Sequence, residues 1–139
     1  GSKATIITYG MGVIWAKEVV EALGEAIEII DLRTLWPLDE ETLLSSVKKT
    51  GKVIVLHEDT LTGGIGGEIS ALISEKAFEY LDAPVLRVGG LDSPIPFSPI
   101  LEKQFLIVIN RNSRTCIWMV HVNNSSSWIF GERCAFVIS

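Results

Sequence analysis

Four short apolar runs alternate with amphipathic stretches along the first two thirds of the chain. The runs cover residues 4–9, 27–30, 52–57 and 85–88, and they are rich in β-branched residues. The third run, residues 52–57, is continuously apolar from Val53 to Leu56 rather than alternating, which is typical of strands buried on both faces of a parallel sheet. With helices between them and short connections, the pattern predicts an α/β fold: a three-layer sandwich with a mainly parallel sheet and right-handed crossovers.

The amphipathic stretches predict three helices between these strands. The first covers residues 13–23 and ends at Gly24, which is suited to a left-handed C-cap. The second begins after Asp39, an N-cap residue, and ends at Gly51, with acidic residues in its first turn and lysines in its last. The third is predicted over residues 68–80, after a glycine-rich loop.

Length and composition indicate a single domain of a soluble globular protein. The chain has 139 residues, of which 47% are hydrophobic and 21% charged. No apolar run reaches the roughly 18 residues of a membrane helix, and no signal peptide is visible, so we expect no membrane association. Residues 1–3 begin Gly-Ser, which is typical of a tag remnant on an internal fragment.

The net charge of −5 disfavours nucleic acid as a partner, because no basic stripe is present. A basic protein surface is a more natural partner for such a chain. Cys116 and Cys134 match no zinc pattern and there are only two histidines, so no metal site is expected. Reduced thiols are the favoured state of the two cysteines, with one disulfide as the alternative.

The composition changes abruptly near residue 107. Residues 107–139 contain no Leu, Lys, Asp, Pro or Gln, whereas the first 106 residues contain fourteen Leu. The first part carries nine basic and sixteen acidic residues (−7), and the last part three basic and one acidic (+2). We therefore divide the chain into a domain over residues 4–106 and an atypical, β-rich tail that is either natural or the product of a frameshift, read-through or cloning artefact.

A Gly10-x-Gly12 turn follows the first predicted strand and precedes a helix. A phosphate-binding turn occupies this place in nucleotide-binding folds. However, the third glycine of the dinucleotide fingerprint and the lysine of a P-loop are both missing. We favour a tight turn that needs positive φ.

A second glycine-rich loop precedes the third helix. It includes Thr62, Gly63, Gly64 and Gly66. An anion can bind at such a helix N-terminus. The interpretation we favour is that the glycines let the loop pack closely against another subunit.

His57 and Glu58 lie at the carboxyl end of the third predicted strand, where α/β sheets bind ligands. A histidine beside carboxylates can act as a general base. No Ser or Cys nucleophile motif is nearby, and His57 continues an apolar strand. We therefore predict a buried, hydrogen-bonded structural histidine, with Glu58 capping the glycine loop or the next helix, and no catalytic residue in this domain.

Three segments together resemble the beta subunit of the decarboxylating component of 2-oxo acid dehydrogenases. They are residues 29–39 (IIDLRTLWPLD), 55–70 (VLHEDTLTGGIGGEIS) and 80–97 (YLDAPVLRVGGLDSPIPF). The match is closest to the branched-chain (2-oxoisovalerate) type, for which His57-Glu58 followed by LTGG is characteristic. The resemblance covers residues 4–106 and departs from the family after residue 107, where a proline-containing turn and a final amphipathic helix are expected.

The resemblance implies a transketolase C-terminal domain-like assembly and docking domain. Thiamine diphosphate and magnesium would be bound by other domains of the full-length enzyme, which oxidatively decarboxylates 2-oxo acids and acylates a lipoyl arm. Implied partners are a second copy of the domain, the alpha subunit or upstream domains, and the lipoyl acyltransferase core. The implied location is the cytoplasm, or the mitochondrial matrix in a eukaryote.

Two alternatives stay open. One is a small phosphate- or nucleotide-binding α/β module that uses one of the glycine turns. The other is the related C-terminal domain of transketolase or deoxyxylulose-phosphate synthase, which residues 57–67 fit less well.

Overall fold

The computed structural model describes residues 1–95 and 97–100. Strands and helices alternate in this part of the chain, and the last helix is followed by a short 3-10 turn, Phe78–Tyr80. The elements are β1 (Ala4–Thr8), α1 (Met11–Leu23), β2 (Ile27–Asp31), α2 (Glu40–Thr50), β3 (Val53–Thr60), α3 (Ile65–Ala77) and β4 (Leu86–Gly90). The strands predicted in the tail, residues 107–139, lie outside the described residues.

The four strands form one parallel sheet in the order β2-β1-β3-β4. In register, Ile7 of β1 lies between Ile30 of β2 and Val55 of β3. Helix α1 packs on one face, and α2 and α3 contact each other on the opposite face. This arrangement confirms the predicted three-layer α/β sandwich.

The main core lies between the sheet and helices α2 and α3. It is apolar and almost fully enclosed, because the inward residues of β1 and β3 meet the buried stripes of two helices. Its buried members are Ile7, Leu32, Leu43, Val47, Val53, Val55, Ile69, Ile73 and Ala77.

A buried hydroxyl network joins β1 to α2 within this layer. The Thr5 hydroxyl has no exposed surface. It shares hydrogen bonds with the Ser46 hydroxyl at 2.9 Å and the Thr50 hydroxyl at 2.7 Å. Because each group is shielded from water, each hydroxyl depends on the others for its hydrogen bonds.

We expect Thr5→Val to lower the free energy of unfolding by about 1–2 kcal/mol, because it leaves the buried Ser46 hydroxyl without its partner. Ser45→Ala is the matched control: its hydroxyl bonds only to the Thr42 carbonyl on the exposed side of α2. The control should change stability by less than about 0.5 kcal/mol. Urea denaturation midpoints of the two variants compare the effects, and equal midpoints would contradict the network's role.

The predicted C-terminal ends of the first two helices and the predicted cap of α2 are confirmed, whereas α1 begins at Met11 instead of residue 13. Asp39 caps α2 by accepting hydrogen bonds from the Thr42 backbone N–H at 3.0 Å and its hydroxyl at 2.7 Å. Gly24 and Gly51 end their helices in the left-handed conformation, with φ of 64° and 65°. These ends depend on contacts only a few residues apart, which explains why local sequence predicts them.

The predicted boundaries around the glycine loop are wrong by about three residues. Strand β3 runs on to Thr60 instead of ending at His57, and α3 begins at Ile65 instead of residue 68. Gly66 and Gly67 are therefore helical, although glycine disfavours helix interiors. Packing of the α3 first turn against β3 overrides that local preference.

Candidate functional site

The carboxyl edge of the sheet contains the fold's topological switch point, where the connections from β1 and from β3 lead away in opposite directions along the sheet. Open α/β folds bind ligands at this place. Gly10 follows β1, and Glu58 lies near the end of the neighbouring β3. A Cβ built on Gly10 would lie 3.5 Å from the Glu58 carboxylate oxygen Oε1. The structure thus brings two predicted site residues together.

The Gly10-x-Gly12 turn has a structural requirement at each glycine. Gly10 has φ of 56°, a conformation that side chains rarely adopt. Gly12 is required for space: a Cβ there would overlap the hydroxyl oxygen of Thr8. Thr8 is 1% exposed, and its hydroxyl has no hydrogen-bond partner among the described residues. The turn thus brings α1 close against β1.

The charge at the switch point is negative. Burial raises the pKa of the Tyr9 phenol above its ordinary value, and the Asp59 and Glu58 carboxylates raise it further. A phosphate at the N-terminus of α1 would meet these carboxylates. The electrostatics therefore disfavour the anion-binding interpretation of Gly10-x-Gly12.

The glycine loop is held by the carboxylate of Asp92, which lies just after the carboxyl end of β4. The Asp92 side chain accepts hydrogen bonds from the Thr62 backbone N–H at 3.0 Å and from its hydroxyl at 2.6 Å. The Thr62 hydroxyl is the main cause that lowers the pKa of Asp92. The loop-capping carboxylate is therefore Asp92, and the prediction that Glu58 caps the loop is wrong.

Sequence reasoning missed Asp92 because it lies thirty residues from Thr62. A usable signal was present. Asp92 follows β4, and neighbouring parallel strands place their carboxyl ends at one sheet edge.

Gly63 and Gly64 of the glycine loop differ in their roles. Gly63 has φ of 76° and open space around its Cα. Gly64 is the extended N-cap of α3, with φ of −72°, and its missing Cβ would overlap the Thr60 carbonyl oxygen. Gly63 is thus required for its backbone conformation. Gly64 is required because the start of α3 lies close to the Thr60 carbonyl.

His57 is fully buried beneath this loop. A Cβ on Gly66 would overlap the imidazole, and one on Gly64 would lie 2.9 Å from its Cε1 atom. The Tyr9 ring lies parallel to the imidazole at a centroid distance of 6.5 Å. An enclosed ring cannot contact a substrate in this conformation, which supports a structural role.

The prediction of a hydrogen-bonded histidine is wrong. Neither Nδ1 nor Nε2 of His57 has a hydrogen-bond partner among the described residues. Burial, the largest cause, lowers the pKa of the imidazole below its ordinary value of 6.5. Asp59 opposes this shift and Arg87 adds to it, so the ring is neutral near pH 7.

An exposed ion pair lies at the end of β2, where the Arg33 guanidinium donates to the Asp31 carboxylate at 2.6 Å. Within residues 1–95 and 97–100, no three His, Cys, Asp or Glu side chains are grouped as metal ligands. No helix of the described part is long and apolar enough to cross a membrane.

Thiamine diphosphate does not fit the described residues. Its pyrophosphate and magnesium need free cationic or N–H donors together with grouped oxygen ligands. The switch point instead presents Glu58 and Asp59, which would repel the pyrophosphate, and the Arg33 cation is already paired with Asp31.

The fold is a three-layer, doubly wound α/β domain with a negatively charged switch point and a buried histidine beneath the glycine loop. The family model described as the C-terminal domain of transketolase matches residues 1–111, and the chain belongs to this family. A solved structure described as the inactive β4 tetramer of a split-gene transketolase is similar, with a TM-score of 0.59 and 30% identity. That match covers 76% of this chain and 34% of the other.

Curated relatives include beta subunits of two dehydrogenases. The 2-oxoisovalerate dehydrogenase subunit beta is 48% identical in Pseudomonas aeruginosa and 42% in Bacillus subtilis, over 69% and 77% of this chain. The pyruvate dehydrogenase E1 component subunit beta of Rhizobium meliloti is 42% identical over 74%. The matched regions span only 27%, 34% and 23% of these relatives, so the chain corresponds to about a quarter to a third of their length.

Proposed function

We propose that this chain is the C-terminal assembly and docking domain of a 2-oxo acid dehydrogenase of the branched-chain (2-oxoisovalerate) type. The observation that carries the proposal is its 48% identity to a 2-oxoisovalerate dehydrogenase beta subunit, confined to 27% of that subunit. The full-length enzyme decarboxylates a 2-oxo acid oxidatively and transfers the acyl group to a lipoyl arm. Thiamine diphosphate and magnesium bind in its other domains.

The burial of His57 and the negative charge at the switch point support a role in assembly instead of catalysis for this part of the enzyme. His57 is buried and neutral, and the carboxylates beside it disfavour an anionic cofactor. The partners proposed are a second copy of the domain, the alpha subunit or upstream domains, and the lipoyl acyltransferase core. The proposed location is the cytoplasm, or the mitochondrial matrix in a eukaryote.

An exposed aromatic surface gives the assembly role a physical basis. Trp36 is 92% exposed and neighbours the exposed Leu35, on the loop between β2 and α2. Tryptophan is enriched among the residues that dominate interface energies, and exposing it to water is unfavourable. We propose that the loop carrying Trp36 contacts another subunit of the enzyme.

Beta subunits of both 2-oxoisovalerate and pyruvate dehydrogenases occur among the relatives, so we base the proposed substrate on a sequence motif. His57-Glu58 followed by LTGG, residues 61–64, favours the branched-chain type. The test is the complete enzyme, expressed with the coding region upstream of this chain and its alpha subunit. We expect kcat/KM for 2-oxoisovalerate to exceed that for pyruvate by at least tenfold, and a preference for pyruvate would reject the branched-chain assignment.

The same enzyme tests the assembly role. Trp36→Ala should weaken subunit association by tenfold or more in analytical ultracentrifugation, since interface tryptophans commonly contribute 2 kcal/mol or more. Phe78→Ala is the matched control, because Phe78 is also exposed, at 75%, but lies at the end of α3. Equal effects of the two substitutions would argue against a specific contact at Trp36.

Two other functions are separated by simple assays. The transketolase alternative has support from the 30% identity to a split-gene transketolase, and it predicts turnover of sugar phosphates by the complete enzyme. A phosphate- or nucleotide-binding module predicts that phosphate or nucleotides raise the melting temperature of this chain. We expect neither result, because carboxylates face the Gly10 turn.

A further inference from the structure

The His57 ring is covered by two elements of the fold, the start of α3 and strand β4. The first turn of α3 covers it with Gly64 and Gly66, and β4 covers it with Gly89, whose added Cβ would lie 3.1 Å from the imidazole Cε1. No surface of the ring is exposed. Glycines make all three of these contacts, because a Cβ at any of these positions would crowd the ring.

The surroundings disfavour a charged imidazolium. Neither ring nitrogen has a hydrogen-bond partner of normal geometry among the described residues, and only the Asp59 backbone is near enough to favour an added N–H. The ionisable groups facing the ring are Tyr9 after β1, Asp59 on β3 and Arg87 on β4. The N-terminal turn of α3 adds the positive end of a helix dipole. Of these groups, only Asp59 favours protonation.

The loop that covers the ring is held to the rest of the domain by few side-chain hydrogen bonds, and these are exposed to solvent. The loop of residues 61–64 is attached through the Thr62–Asp92 hydrogen bonds and through the Arg87 guanidinium, which donates to the Leu61 carbonyl at 3.0 Å. Ile65, which follows it in α3, packs against the core. The sheet beneath is tied by ladders of parallel strands and by the apolar core. Local opening of the loop is therefore easier than unfolding of the sheet.

We propose that His57 is a proton-operated latch: the neutral ring holds loop residues 61–64 and the first turn of α3 closed, and protonation of the ring releases them while the sheet stays folded. The direction follows from linkage. The pKa of His57 is lowered in the closed state, so the closed loop is fully stable above the ordinary value of 6.5. Stability is lost as the pH falls from 6.5 toward the lower closed-state pKa, because the open form binds the extra proton.

Asp92 does not account for such a response. Its pKa is lowered below the ordinary 3.8, so it stays ionised and bonded to Thr62 throughout this pH range. The loop tie is thus constant while His57 titrates. The inference stands on the geometry of this domain and does not depend on the proposed enzymatic function.

The test is amide hydrogen exchange of the full chain, followed from pH 7.5 to 5.0 and corrected for intrinsic rates. One proton taken up on opening raises the opening equilibrium constant by up to tenfold per pH unit. We expect protection of residues 62–68 to fall by roughly three- to tenfold per pH unit below 6.5, with protection of β1 changing less than twofold. Equal losses in both regions would show global unfolding and overturn the proposal.

Direct titration of the wild-type ring by NMR provides a second measurement that needs no variant. A His57 pKa at or above 6.5 overturns the latch.

Variants provide a third test. His57→Leu should remove the pH dependence of residues 62–68. His121→Gln, at the other histidine of the chain, should leave that dependence intact. Loss of the response in His121→Gln, or its persistence in His57→Leu, also overturns the proposal.

Discussion

Gly66→Ala is expected to destabilise the domain by about 2 kcal/mol or more. In an ordinary helix the same change is stabilising by about 1 kcal/mol, because alanine has the higher helix propensity. Here the added Cβ would overlap the Nε2 and Cδ2 atoms of His57. The ring is fully buried and cannot move aside without displacing Gly64 or Gly89, so overpacking outweighs the propensity gain.

Gly67→Ala is the matched control in the next position of the same helical turn. Its Cβ would lie 3.3 Å from the Nη1 atom of Arg87, the far end of a flexible side chain. We expect this variant to be neutral or stabilised by up to about 1 kcal/mol. Guanidinium denaturation curves of the two variants give the comparison. If Gly66→Ala is as stable as Gly67→Ala, the His57 enclosure is not as tight as described.

Gly12→Ala is expected to be destabilising by about 2 kcal/mol, and Thr8→Ala should largely reverse the loss. The added Cβ of residue 12 would overlap the Thr8 hydroxyl oxygen but lie 3.4 Å from the Thr8 Cβ, an ordinary contact. Thr8→Ala removes the obstructing atom. It also removes a buried hydroxyl that has no partner among the described residues, so the single change should be mild.

A double-mutant cycle measures this compensation, with an expected coupling energy of about 1–2 kcal/mol between the two positions. Thr8→Val is the control because it keeps an atom in the place of the hydroxyl oxygen, and it should give no rescue of Gly12→Ala. Additive effects of Thr8→Ala and Gly12→Ala would mean that α1 shifts to accept the side chain. The close approach of α1 to β1 would then not be required.

Elements with strong local patterns were predictable from the chain alone. Helix α2 is the clearest case, because its cap Asp39 and its end Gly51 make their bonds within a few residues. The strands were predictable for a similar reason, since a short run rich in β-branched residues such as residues 4–8 favours a strand. The candidate site was predictable only in outline: His57, Gly10 and Glu58 were placed at the correct sheet edge.

The details at that edge were not predictable, because they depend on residues far apart in the chain. Asp92 caps a loop thirty residues earlier. Gly66 lies in a helix that its own residue type disfavours, since only glycine leaves room for His57. The buried histidine without hydrogen-bond partners is a further departure from the prediction, because burial alone does not indicate which acceptors surround a ring.

The α/β class, the order of strands and helices and the resemblance to dehydrogenase beta subunits follow from the amino-acid sequence, because these depend on periodicity, caps and motifs within short windows. The role of each glycine and the state of His57 depend on how the layers pack. Gly12 is needed because Thr8 of β1 faces it where α1 packs on the sheet. Gly66 is needed because His57 of β3 faces it where α3 packs on the sheet. Such contacts arise only when the layers pack, so no local pattern encodes them.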